Sequence, residues 1–135
     1  MADLKAGHGI GLSLPAELNG HPGPAHVLEL ADALGLSDDQ RTKTKALLDS
    51  MKAETIPLGE RVVSEERTLD RLFADRKATR AAVNAAAARV ASAQGDLRAA
   101  HLRYHLEMTE RLSAEQIARY AELRGYGSGM DQHRR

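Results

Sequence analysis

The sequence predicts an all-α fold: four helices built around a long antiparallel helical hairpin. Three observations carry that expectation. Alanine is the commonest residue, 23 of 135, and it keeps company with Leu, Arg and Glu, all strong helix formers. Aromatics are scarce, with no Trp, one Phe and three Tyr, so the core has to be aliphatic. Two long segments space their apolar residues alternately three and four apart, the signature of one helix face packing on another.

The elements follow in chain order. Residues 1–23 hold Gly7, Gly9, Gly11, Pro15, Gly20, Pro22 and Gly23 and read as an irregular N-terminal arm, with a helical turn near Pro15–Asn19. Pro24 suits a first helical position, and a short helix runs from it through Val27, Leu28, Leu30, Ala31 and Leu34 to a left-handed cap at Gly35. Leu36-Ser37-Asp38-Asp39-Gln40 then starts a long helix. Ser37 and Gln40 form a capping box, and Asp38 and Asp39 complement the positive end of the helix dipole. Leu48, Met51, Thr55, Leu58, Val62, Glu65, Leu69 and Leu72 form its seam, with a kink expected near Pro57 and the end expected at Arg76–Ala78.

Thr79 is the expected N-cap of the second long helix, whose seam is Val83, Ala86, Val90, Gln94, Leu97, His101, Tyr104 and Met108. Its alanine-rich first half allows close approach to a neighbour. Leu112-Ser113-Ala114-Glu115-Gln116 repeats the capping box with Ser113 and Gln116, and opens a last helix through Ile117, Tyr120 and Leu123 to Gly125. Two long helices joined by a tight connection must run antiparallel. The domain organisation is therefore an arm over 1–23, one helical domain over 24–126 and a polar, Gly-rich disordered tail over 127–135.

Composition excludes several function classes. Lys plus Arg and Asp plus Glu are each 19, so the net charge is zero and nucleic acid is not an expected partner. Without cysteine there is no disulfide, thiolate metal site, iron–sulfur cluster or thiol nucleophile. No stretch approaches the roughly 20 apolar residues of a membrane-spanning helix. No nucleophile elbow, phosphate-binding loop or dinucleotide fingerprint occurs, so no enzyme and no organic cofactor is expected.

The chemistry that remains centres on His101, His105 and Met108. At helical spacing His105 lies about 40° from His101 and Met108 about 20° to its other side, so the three share one narrow face. Two imidazoles at i and i+4 with a thioether suit Ni, Co, Cu or Zn better than Ca or Mg. The same face coincides with the apolar seam, so core packing is the competing explanation. His21 and His26, in the lead-in, are weaker candidate ligands.

The doubled L-S-x-x-Q signature, at Leu36–Gln40 and Leu112–Gln116, resembles the LTxxQ-motif periplasmic family, which holds Spy- and CpxP-type chaperones and CnrX- and ZraP-type metal-resistance proteins. The flanks Leu28–Gly35 and Ala118–Tyr126 look like the metal-sensor branch. The resemblance covers roughly residues 24–126 and implies a hooked helical hairpin, a homodimer and a periplasmic location, with an export signal or anchor preceding the present Met1. The relatives' ligand pattern, H-x3-H, a Glu and a later H-x3-M, is not reproduced. The expected function is a periplasmic metal-binding protein of heavy-metal resistance or sensing, and a sensor would have a membrane regulatory partner. The alternative is a Spy-like, ATP-independent chaperone for unfolded client proteins, against which zero net charge counts, because a basic cradle would steer clients better.

Overall fold

A computed structural model describes residues 10–126 of the chain, and within them the regular secondary structure is all helix, with six helices where the sequence predicts four. They are α1 (Ile10–Leu18), α2 (Pro24–Glu29), α3 (Ala31–Leu34), α4 (Asp38–Ala74), α5 (Arg80–Thr109) and α6 (Ala114–Leu123). The expected disordered tail over 127–135 lies outside the described residues.

The two extra helices have definite origins. Residues 10–18, expected to belong to an irregular arm, form α1 even though Pro15 sits inside it and removes one intrahelical hydrogen bond. Packing against α5 stabilises it. The helix expected from Pro24 to Gly35 divides at Leu30, whose ψ of 17° departs from the helical value and leaves α2 and α3 as separate turns. Pro24 opens α2, and Gly35 closes α3 at φ 65°, both as expected.

The hairpin is formed by α4, 37 residues, against α5, 30 residues. At 1.5 Å per residue α4 spans about 55 Å. It runs unbroken through Pro57, whose ring lies on the exposed side while Thr55 and Gly59 are buried. It ends at Ala74 rather than at Arg76–Ala78, and the reversal uses Arg76 in the left-handed conformation at φ 58°. There Lys77 N–H donates to the Leu72 carbonyl (2.8 Å) and Arg76 N–H to that of Phe73 (3.2 Å), the pairing that satisfies a helix end. Thr79 caps α5 by accepting from Ala82 N–H (3.1 Å).

Apolar side chains collect in two places. In the head, Val27, Ala31, Leu34 and Leu36 meet Met108 and Tyr120. In the stem, Val62, Ala93 and Leu97 pack with Leu58. The seam of α5 is close to the expected one, except that Gln94 is exposed and Ala93 is buried in its place. Between the long helices, Arg61–Asp96 (2.7 Å), Arg89–Glu65 (3.4 Å) and Arg103–Glu54 pair across the surface. Such exposed pairs fix register and contribute at most about 1 kcal/mol each.

Both capping boxes are formed. The two glutamines also bind each other. Gln40 Nε2 donates to Gln116 Oε1 (2.8 Å) and to the Arg111 carbonyl (3.0 Å), while Gln116 Nε2 donates to Gln40 Oε1 (3.0 Å). The starts of α4 and α6 are thereby tied together, a contact between residues 76 apart in sequence.

Candidate functional site

Four helices converge on one cavity of about 80 Å³ in the head. Helix α1 contributes Ser13 and Glu17, α4 contributes Met51, and α5 contributes His101 and His105. Helix α2 and the residue before it supply Gly23, Pro24, Ala25, His26 and Glu29.

The backbone ahead of α2 sets the position of His105. Gly20, at φ 81°, closes α1 with His21 N–H donating back to the Ala16 carbonyl (2.9 Å). That turn presents the His21 carbonyl to His105 Nδ1 at 2.8 Å. A carbonyl only accepts, so Nδ1 carries the proton and Nε2 keeps its lone pair. The Cε1–Nε2 edge of the ring lies flat against Gly23, where a Cβ would come within 2.6 Å of both atoms. Only glycine allows this approach.

Glu17 is the buried counter-charge, at 5% exposure. Its carboxylate accepts from Tyr120 Oη (2.8 Å and 3.0 Å) and from Gly23 N–H (3.1 Å). Its Oε2 also lies 3.8 Å from His105 Nδ1. Burial pushes the His105 pKa below its ordinary value, and the His21 hydrogen bond and the Glu17 charge oppose that shift only in part. His105 is therefore neutral at neutral pH, and its contact with Glu17 is a charge–dipole one. Burial, reinforced by Glu17, raises the Tyr120 phenol far above its ordinary range, so it stays a donor. Ser13, at 3% exposure, has no partner for its Oγ among the described residues.

The structure brings His101 and His105 to one cavity, and His26 lines it too. The His26 ring is held at 3.3 Å by Glu29 Oε2. The His21 ring turns instead to Thr109 Oγ1 (3.2 Å), and only its carbonyl serves the site. Met108 lies in the apolar cluster at 0% exposure, away from the cavity lining, and the methionine at the cavity is Met51. Among the described residues, no group of three or more His, Asp or Glu side chains is placed to hold a metal ion. Sequence reasoning missed Ser13, Glu17 and Gly23. Their only sequence signal is the i, i+4 spacing of the first two and the Pro22-Gly23-Pro24 run.

Fold and site together define an all-α hairpin protein whose head encloses a histidine-lined cavity with one buried carboxylate. The chain belongs to the heavy-metal resistance family, whose model matches residues 9–119. The matched span includes α1, and the metal-resistance side of the resemblance read from the repeated motifs is borne out at family level. No curated protein and no solved structure matches the chain. Among the described residues, no helix is long and apolar enough to cross a membrane.

Proposed function

We propose that the protein acts in heavy-metal resistance or sensing in the periplasm by taking a transition-metal ion into the head cavity, with His101 and His105 as ligands. One observation carries this reading: the Nδ1–H of buried His105 is held by a backbone carbonyl at 2.8 Å. Metal-ligating histidines are oriented this way, which fixes the tautomer and leaves the other nitrogen for the ion. Burial keeps the imidazole in the neutral form that coordination needs. A bound ion would supply positive charge that Glu17 offsets without leaving Tyr120. Family membership supports the same reading.

Calorimetric titration with Ni, Co, Cu and Zn tests it. The parent protein should bind at least one ion with a single site per chain, and a His101→Ala/His105→Ala variant that keeps its helical circular dichroism should lose that binding. Equal binding by the two proteins, or none by either, removes the proposal.

A chaperone reading has a narrower support. Phe73 at the stem tip is 60% exposed and Leu106 is 55% exposed, apolar side chains that an unfolded client could cover. Stoichiometric suppression of client aggregation, lost in Phe73→Ser/Leu106→Ser, would favour it. The homodimer belongs to both readings.

A further inference from the structure

Given a metal site in the head cavity, the donor set there points to a particular class of ion. We propose that the cavity selects a soft monovalent cation, Cu(I) with Ag(I) as its redox-inert counterpart, through His101, His105 and Met51. This inference rests on the proposed metal-binding function and goes beyond it by naming the ion class and the sulfur ligand.

The first argument is the donors. His101, His105 and Met51 line one cavity and offer two imidazoles and a thioether. A thioether is a soft ligand that favours Cu(I), whereas hard or borderline divalent ions draw on imidazole together with carboxylate and water. His26 lines the cavity as well but is held by Glu29, and no three His, Asp or Glu side chains come together in a metal-holding group among the described residues, so a third strong donor for a divalent ion is not in place.

The carboxylates point the same way. Both Glu17 oxygens are engaged by Tyr120, and Oε2 also accepts from Gly23. Three buried hydrogen bonds hold the Glu17 carboxylate in place, and turning it to face an ion would cost them. Glu29 is bonded to His26, and its side chain is 70% exposed. Glu17 therefore acts as a counter-charge at a distance, and one carboxylate balances one positive charge. A divalent ion in the same place would leave a net buried charge, which a low-dielectric cavity penalises.

Ligand number is the third argument. Cu(I) is satisfied by few ligands, as two imidazoles and one thioether here would provide, while Ni and Co in oxygen–nitrogen surroundings keep a fuller shell. Ser13 Oγ, buried and without a partner among the described residues, supplies an independent sign that something polar or cationic occupies this space.

The test uses the full chain with Ag(I), with Cu(I) under anaerobic conditions against a competing chelator, and with Zn, Ni and Co. Cu(I) and Ag(I) should bind at least about a hundredfold more tightly than the divalent ions. Met51→Leu conserves volume and should keep the fold, yet weaken Ag(I) and Cu(I) about tenfold or more and leave Zn within about twofold. Met108→Leu, equally conservative, should leave Ag(I) affinity unchanged. With methyl-labelled methionine, Ag(I) should shift the Met51 methyl resonance and spare that of Met108. Divalent ions bound in the cavity as tightly as Cu(I) would overturn the selectivity while leaving a metal site standing. Ag(I) binding that does not move Met51 would overturn the ligand assignment. Binding of no ion at all would overturn this inference and the metal-binding function together.

Discussion

Gly23 and His105 show how much of the site depends on single atoms. A methyl group at residue 23 would sit 2.6 Å from two atoms of a ring that is 6% exposed and bonded to the His21 carbonyl. The ring cannot swing away without losing that bond. Gly23→Ala should therefore destabilise the protein by about 1–3 kcal/mol, the usual cost of overpacking a tight core. It should also weaken metal binding, and a urea unfolding midpoint equal to the parent's would contradict the close approach. His105 sets a second expectation, for the metal-free protein. Its folded pKa lies below the ordinary 6.5, so the unfolded chain takes up a proton that the folded chain refuses. Its contribution to stability is complete above pH 6.5 and is lost as pH falls from there through the folded value. The His21 hydrogen bond and the Glu17 charge act against this shift, and the neighbouring His26 and His21 rings act with it. Urea midpoints should fall between pH 7.5 and pH 5, and His105→Gln should flatten that fall; an equal slope in both proteins would place the proton elsewhere. None of this was legible in the sequence, because neither a carbonyl acceptor nor a ring lying on a glycine has a residue-type signature. The sequence did give the pair His101 and His105, since i, i+4 spacing is enough to put them on one face. It put Met108 with them for the same reason, and helical geometry alone cannot tell a core side chain from a cavity one.

At the scale of elements, the repeated motif does more than start helices. Each glutamine closes its own capping box and also bonds its counterpart, so the pair joins α4 to α6. The local half of this was readable, because a capping box is a contact between residues three apart. The long-range half was not, because amide-to-amide pairing leaves no periodicity. A double-mutant cycle separates the two. Gln40→Ala and Gln116→Ala should each cost about 1 kcal/mol for the lost hydrogen bond to the N-cap N–H. Together they should differ from the sum by about 0.5–3 kcal/mol, since removing one amide already strands the other. Strict additivity would reduce the motifs to two independent caps. Helix α1 marks the other limit of sequence reading. Glycine and Pro15 argue against a helix at 10–18, and tertiary packing on α5 overrides them. The burial of Ser13 and Glu17 one turn apart shows which face made that packing worthwhile.

Over the whole molecule, stability is distributed unevenly along the hairpin. The head gathers α1, α2, α3 and α6 around Val27, Met108 and Tyr120, with the Glu17 network and the glutamine pair adding polar ties. The stem has only two helices, and its core is Val62, Ala93 and Leu97 with Leu58. Beyond Val62, towards the tip, α4 carries half-buried Leu69 and Leu72 and exposed Phe73 against an alanine-rich partner helix. Alanine buries little area, and two helices alone cannot cover each other's apolar faces. Hydrogen exchange should therefore be graded. Amides of α4 and α5 in the head, near residues 47–55 and 97–108, should open only with global unfolding, while those near 66–90 open locally and faster. If the proposed homodimer pairs through the stem, protection near 66–90 should rise with protein concentration and that in the head should not. Uniform protection along both helices at every concentration would count against the graded stem and against pairing through it.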